Sequence, residues 1–375
     1  MIDKKVIIIY NAAHHVLLFK KELIETIKKN GFQIIVLASK DNYVEKLKVI
    51  VDEFHEIKLD SSGINPFKDS YLIYQLYTLI KKIKPYAIFN FTIKPVIYGT
   101  LAAKLAKGIP VVNTITGLGT AFLSEGLANK VAKLLYKYTF NNSHLIFFQN
   151  PDDQKFFKEI NIIKKDNTQL IPGSGVDLEK FKPVIKTKSD NIKILFIGRI
   201  IADKGIYELI EAASIIKKEY SNITFILLGM VGVKNRTSIT KNEVDDWVDN
   251  GLIEYISFKD DVRNFISDSD LIVLPSYREG TPKTLLEAAS MGRPIIATDV
   301  PGCREVVIHE KNGFLCQVKN PESLGNEIKR FIELDYQSKL EMGLKSRELA
   351  ELKFDINNVN NYYIQSLKNI KNARQ

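Results

Sequence analysis

Two acids, Glu279 and Glu287, flank the run Gly280-Thr281-Pro282 just downstream of the apolar segment 271–274. In a strand–loop–helix segment Glu279 falls in the loop at the strand's carboxyl end. Glu287 falls about a turn and a half into the helix, where a carboxylate accepts two hydrogen bonds from a diol such as a ribose. Thr281 is expected as the helix N-cap and Pro282 at the first helical position. The backbone N–H groups there, with the helix dipole, favour an anion. A second constellation, Gly198-Arg199 followed by Lys204-Gly205, sits where the apolar run 193–198 ends and another helix is expected to begin. An Arg binding in bidentate fashion, a Lys as a point charge and helix N-terminal amides together neutralise a diphosphate without a metal.

Other chemistries lack their residues. Asp268-Ser269-Asp270 spells the metal-binding Asp-X-Asp of some sugar transferases, but it precedes the strand expected at 271–274. That is the wrong end for an open α/β site, so it reads as a helix-end turn. The first apolar run leads into Asn11-Ala12-Ala13-His14-His15 rather than a Gly-X-Gly-X-X-Gly turn, and neither a Walker-type loop nor a Ser-centred nucleophile elbow occurs. Cys303 and Cys316 are the only cysteines, and the histidines at 14, 15, 55, 144 and 309 are scattered. No disulfide framework or metal cluster is expected, which fits a reducing compartment.

The elements that must hold these residues read as alternating strands and helices, the mark of parallel α/β sheets. Strands are expected at 6–10, 33–38, 56–59, 87–91, 111–115, 145–149 and 169–171, with helices at 17–30, 68–84 and 98–107. The pattern restarts with strands at 193–198, 224–229, 254–257, 271–275, 294–298 and 313–317, and helices at 205–220, 262–267, 283–291 and 321–334. The Gly- and Pro-rich stretch 172–183, followed by the polar stretch 186–191, reads as the linker. Length favours two domains: 1–180, and 184–353, with the last segment 354–375 crossing back to the first. Two doubly wound domains facing one another would bind ligand in a cleft between the carboxyl ends of their sheets. The start of the chain mimics a signal peptide, but Asn11, His14 and His15 interrupt its apolar run. A buried strand entering a helix is the better reading.

In the first half Thr116-Gly117-Leu118-Gly119 leaves an expected strand, and its glycines either make a turn or admit a ligand. Across 122–140, Leu123, Leu127, Val131, Leu134, Leu135 and Tyr138 recur at helical spacing, with Lys130, Lys133 and Lys137 on another face. Such a helix lies in a membrane interface or packs on its own sheet. Charge is divided unevenly. Residues 1–183 carry 26 lysines, no arginine and 17 acids, so the whole net charge of +9 belongs to them. An anionic surface or partner suits that half.

Taken together, Gly198-Arg199 with Lys204-Gly205, the Glu279/Glu287 pair and Pro301-Gly302-Cys303-Arg304-Glu305 resemble the C-terminal domain of retaining family 4 glycosyltransferases of the GT-B fold. Asn113-Thr114-Ile115-Thr116-Gly117-Leu118-Gly119 and Phe91-Thr92-Ile93-Lys94-Pro95 resemble the branch that builds bacterial capsule, O-antigen and N-linked glycans on lipid carriers. The resemblance implies that Arg199 and Lys204 bind the diphosphate of a UDP-sugar, that Glu287 holds the ribose, and that Glu279 with the backbone of Gly280, Thr281 and Pro282 contacts the transferred sugar. It implies an undecaprenyl-diphosphate-linked saccharide as acceptor, a cytoplasmic enzyme peripherally held on the inner membrane face, and no metal cofactor. The first half offers no obvious carboxylate nucleophile, in keeping with the same-face attack, assisted by the leaving phosphate, proposed for the family. Two departures stand out: Asn11-Ala12-Ala13 replaces the Gly-rich turn after the first strand, and Thr116 stands where many members carry a His. His14, Lys20, Lys94, Thr116 and Gly117 are therefore the candidates for the acceptor or donor-sugar side. A sugar-nucleotide epimerase or phosphorylase of the same form is the alternative enzyme. Nucleic-acid binding is disfavoured, because the basic half lacks arginine.

Overall fold

Runs of Val and Ile bounded by polar turns build two sheets in a computed structural model that describes residues 4–60, 65–118, 127–163, 165–233 and 235–373. The first sheet takes β1 (Lys4–Ala12), β2 (Phe32–Ser39), β3 (Glu53–Glu56), β4 (Ala87–Phe91), β5 (Val111–Ile115), β6 (Leu145–Phe148) and β7 (Thr168–Leu170). Its order is β3-β2-β1-β4-β5-β6-β7, with every pairing parallel. The second takes β8 (Ile192–Ile197), β9 (Ile223–Gly229), β10 (Glu254–Ser257), β11 (Leu271–Leu274), β12 (Ile295–Thr298) and β13 (Gly313–Cys316). It runs β10-β9-β8-β11-β12-β13, again all parallel.

A parallel sheet covered on both faces needs strands that are apolar throughout rather than alternating, and β1 obeys. Val6 and Ile8 enter one core cluster with Val16, Ile24 and Tyr363, while Ile7 and Ile9 enter another with Leu72, Leu76 and Ile80. The apparent signal peptide is thus β1 running into the helix Ala13–Lys29. One expected strand is displaced, since pairing at that edge covers Glu53–Glu56 and not 56–59. Ile57 and Leu59 are buried, which produced the apolar signal. Beyond Glu56 the Ile57 amide makes a last bond to the Ala38 carbonyl, and the Ser39 hydroxyl lies within hydrogen-bond reach of the Ile57 and Leu59 carbonyls in place of further strand pairing.

The chain divides into residues 1–174 with 357–375, and residues 175–356. Val176 pairs in parallel with Asp355 and joins Phe181 in the second core. The stretch 175–180, assigned to the first domain from sequence, therefore lies with the second. The helix Ile356–Ala373 contributes Val359, Tyr363, Ile364, Leu367 and Ile370 to the first core. Its Tyr363 hydroxyl meets Thr114 Oγ1 at 3.0 Å. In each sheet strand order reverses beside the first strand, between β1 and β4 and between β8 and β11. The carboxyl ends of those strands are where open α/β sheets take ligands.

Candidate active site

At the switch point of the second sheet, β8 ends at Ile197 and is followed by Gly198 and the exposed Arg199. Arg199 makes no side-chain hydrogen bond or ion pair with a described residue. A 3₁₀ turn, Ala202–Lys204, then leads through Gly205 into the helix Ile206–Glu219. Gly205 has φ +72°, and a Cβ there would overlap the Pro275 carbonyl. Only glycine lets this turn close against the end of β11. No side chain caps the helix that follows, and free amides at a helix start favour an anion.

Pro275 and Ser276 follow β11. The Ser276 hydroxyl, fully buried, donates to Glu279 Oε1 at 2.6 Å, and Lys204 Nζ binds the same oxygen. Two residues assigned from sequence to neighbouring ligand groups are thus in direct contact, with Ser276, which sequence reading did not single out, as the third member. Gly302, at φ +83°, lets the turn of Pro301 and Cys303 press on the backbone of Glu279 and Gly280, where a Cβ would collide with the Gly280 carbonyl. Cys303 is buried beneath this contact. Burial, then the nearby Glu279 charge, pushes its thiol well above the ordinary value, so it is inert.

The helix Lys283–Ser290 differs from expectation at its start. Pro282 occupies the N-cap, no side chain caps the helix, and the Thr281 hydroxyl donates to the Gly280 carbonyl at 3.0 Å. An extended N-cap suits proline's fixed φ. Thr281 is turned back and is not the cap. Glu287 is buried at 6% exposure, and Lys283 Nζ lies 3.8 Å from its Oε1. Arg304 and Glu305 bind Asp299 and Lys353 within their own unit. The Asp-X-Asp decoy is structural. Asp270 accepts the Lys193 amide at 2.8 Å and pairs with Lys186, while Asp268 pairs with Lys193 Nζ.

The first sheet gathers a different set at the ends of β1, β2 and β4. His14, in the first turn of its helix, binds Asp41 Oδ2 through both its amide (2.9 Å) and ring Nδ1 (2.8 Å). Lys20 is only 3% exposed, and its ammonium sits 4.1 Å from the Phe91 ring centroid and 5.6 Å from that of Tyr363. It is seated in the aromatic core, away from solvent. Lys94 pairs with Asp69 at 2.8 Å, their side chains 12% and 8% exposed. Between β4 and Lys94, Thr92 has φ +70°, a strained value for a β-branched residue. Its hydroxyl donates to Asn11 Oδ1 at 2.7 Å. A π-helical turn, Pro95–Gly99, follows at once. Strain and π-turns concentrate where backbone is bent to serve a site. Thr116 and Gly117 are half-buried beyond β5. Gly119, Leu123 and the rest of 119–126 lie outside the described residues.

In the helix Leu127–Asn141 the buried face is Ala132, Tyr136 and Phe140. Val131, Leu134 and Tyr138, part of the stripe read from spacing, are instead exposed at 38%, 68% and 42%, and Lys130, Lys133 and Lys137 are exposed beside them. Asp41 and Asp69 were missed in sequence. Each is bonded to a residue more than twenty positions away, and only the fold joins them.

Two doubly wound units with charged groups at their switch points define a two-unit α/β enzyme of the GT-B type. A glycosyltransferase from Rickettsia africae superposes at TM-score 0.77 over 99% of both chains with 19% identity. Anabaena HepE in complex with UDP superposes at 0.77 over 98% of this chain and 100% of its own, with 18% identity. Family models agree: Glycosyl transferase 4-like matches residues 5–150, and Glycosyl transferases group 1 matches residues 177–348. The chain is 31% identical to the Escherichia coli UDP-Gal:alpha-D-GlcNAc-diphosphoundecaprenol alpha-1,3-galactosyltransferase over 72% of each chain. It is 28% identical to a Campylobacter jejuni N,N'-diacetylbacillosaminyl-diphospho-undecaprenol alpha-1,3-N-acetylgalactosaminyltransferase over 92% of this chain and 94% of the relative. The chain belongs to this glycosyltransferase family and is a glycosyltransferase.

Proposed function

We propose that the enzyme is a retaining transferase that moves a hexose or N-acetylhexosamine from a UDP-sugar to an undecaprenyl-diphosphate-linked saccharide during cell-surface polysaccharide or glycan assembly. The observation that carries the reading is the group at the ends of β8 and β11: exposed Arg199, Lys204 shared with Glu279, and two helix starts without side-chain caps. Negative charge grows on the diphosphate as the bond to the sugar breaks, and cations and amides already in place lower that barrier. Arg199 takes the phosphate oxygens in bidentate fashion, and Lys204 passes from Glu279 alone to Glu279 and phosphate together. The relatives' names, both alpha-1,3-transferases on diphospho-undecaprenol saccharides, support the acceptor class and retention. UDP release measured across several UDP-sugars, with and without a lipid-linked saccharide, tests the reading. Release that depends on acceptor is expected, whereas acceptor-independent hydrolysis or epimerisation favours the epimerase alternative. Protein cations serve the diphosphate in this scheme, so EDTA is expected to leave the rate unchanged; a loss restored by divalent metal contradicts it.

The partner surface on this reading is the inner face of the cell membrane. No helix among the described residues is long and apolar enough to cross a bilayer. Exposed Val131, Leu134 and Tyr138 beside Lys130, Lys133 and Lys137 support interfacial contact, as do Phe67, Tyr71 and Tyr74 on the helix Pro66–Ile83, exposed at 90%, 50% and 63%. Apolar side chains rimmed by lysines suit an anionic leaflet. Replacing the three lysines by glutamate is expected to weaken flotation with anionic liposomes while UDP-sugar turnover on a soluble acceptor analogue is kept. Unchanged flotation removes this helix from the membrane surface.

A further inference from the structure

The N-terminal unit holds one polar pair whose geometry exceeds what a helix start needs. Asp41, just past β2, accepts from three groups: the His14 amide at 2.9 Å, the Tyr43 amide at 2.8 Å and the His14 ring at 2.8 Å. The His14 amide bond already caps the helix Ala13–Lys29, whose N-cap Ala12 supplies no side chain, and the Tyr43 amide bond closes the turn that follows Asp41. The ring bond adds nothing to that cap, but it fixes the imidazole. Burial raises the Asp41 carboxyl, yet its bonds from His14 and Tyr43 prevail and hold it below the ordinary carboxylate value. It is therefore ionised and can only accept, so Nδ1 carries the hydrogen, and in the neutral ring Nε2 is the nitrogen with the lone pair. The His14 side chain remains 42% exposed at the carboxyl end of β1, beside the switch point with β4.

We infer that His14 Nε2 accepts the hydrogen bond of the attacking acceptor hydroxyl, with Asp41 as the positioning residue that sets its tautomer and angle. The inference rests on the proposed acceptor role of this unit. In the transfer, the bond from sugar C1 to the diphosphate oxygen breaks with its electron pair leaving on UDP, and the acceptor oxygen forms the new bond to C1. The hydroxyl proton ends on the departing diphosphate. His14 orients the hydroxyl and enriches its oxygen while it waits, and gains no net proton. A protonated His14 cannot accept, so activity falls in acid. The titratable and charged groups around the ring are Asp41, His15 at 3.8 Å between ring centroids, and Tyr43 at 6.1 Å, with the Lys46 ammonium 5.0 Å over the Tyr43 ring.

The test compares kcat/KM against pH for the full-length enzyme and for His14→Phe, His14→Gln and Asp41→Asn, with UDP affinity measured by calorimetry on each. His14→Phe is expected to lose about 10- to 100-fold in kcat together with the acid limb of the wild-type profile, and His14→Gln, whose amide oxygen can accept, to recover part of the rate without the limb. In Asp41→Asn the amide oxygen, in the place of Oδ2, still accepts both the His14 amide and Nδ1, so the tautomer is kept, while the nitrogen faces the Tyr43 amide and the fixing charge is lost. A partial loss of rate, smaller than in His14→Phe, is therefore expected. UDP affinity should not move in any of them. An acid limb retained in both His14 variants overturns the inference, as does an Asp41→Asn enzyme that melts like wild type yet is slower than His14→Phe. Wild-type enzyme that transfers to no lipid-linked saccharide defeats the proposed function instead, so the two failures are distinct.

Discussion

Arg199→Ala is expected to lower kcat/KM for UDP-sugar by about 10²–10³-fold, with no change in melting temperature. Arg199 is exposed and bonds to no described side chain, so its removal leaves no orphaned partner and the loss reports function alone. Lys204→Ala should lose as much rate for the same electrostatic reason, but it also leaves Glu279 with the Ser276 hydroxyl and no cation. A modest loss of stability should accompany it. Reading the variants together separates the two contributions. On the proposed function Arg199 would measure charge stabilisation of the leaving diphosphate, which by analogy with one lost oxyanion donor is roughly 3–4 kcal/mol. Lys204 measures that together with the ordering of Glu279. Near-wild-type rates in Arg199→Ala would remove the diphosphate from this turn.

The second large effect is on folding. Lys94→Ala leaves the Asp69 carboxylate, 8% exposed, without its cation, and an uncompensated buried charge costs about 3–5 kcal/mol. Asp69 also accepts the Asn65 amide at 3.1 Å and lies against Tyr98. Burial, then the Asp69 charge and hydrogen bond, raises the Tyr98 phenol above its ordinary value. Removing Lys94 therefore strips the only cation paired with Asp69 among the described residues from a cluster that ties the helix Pro66–Ile83 to the turn after β4. Urea unfolding followed by fluorescence of the N-terminal unit's tyrosines checks this. The double variant Lys94→Met with Asp69→Asn should recover most of the loss, because neither charge is then buried alone. A single variant as stable as wild type would mean that Asp69 finds another cation.

The residues proposed for the donor side were legible in sequence as two local groups, Arg199 with Lys204 in one turn and Glu279 with Glu287 in one strand–loop–helix, whereas Ser276 and the Lys204–Glu279 contact that joins the groups were not. The pairs proposed for the acceptor side were not legible either. His14–Asp41 and Lys94–Asp69 are closed by β-strand order, which no window of sequence displays. Strands were found from their Val/Ile runs. The helix Tyr336–Lys353 escaped because its buried seam is Met342, Gly343, Ser346 and Ala350, too small and mixed to read as an apolar stripe. On the helix Leu127–Asn141 the spacing left membrane contact and packing on the sheet both open. Val131, Leu134 and Tyr138 of the stripe are exposed, while Leu135 packs on the core alongside Ala132, Tyr136 and Phe140. Regular spacing reports that a helix exists, not which face the sheet takes.

The most direct measurement is the anomeric configuration of the product formed from an α-linked UDP-sugar and an undecaprenyl-diphosphate-linked saccharide, read by NMR of the released glycan. The account predicts a new α-linkage formed with one equivalent of UDP, at a rate about 10²–10³-fold lower from Arg199→Ala enzyme under the same conditions. A β-linked product, or UDP released with no sugar on the lipid-linked acceptor, would contradict it.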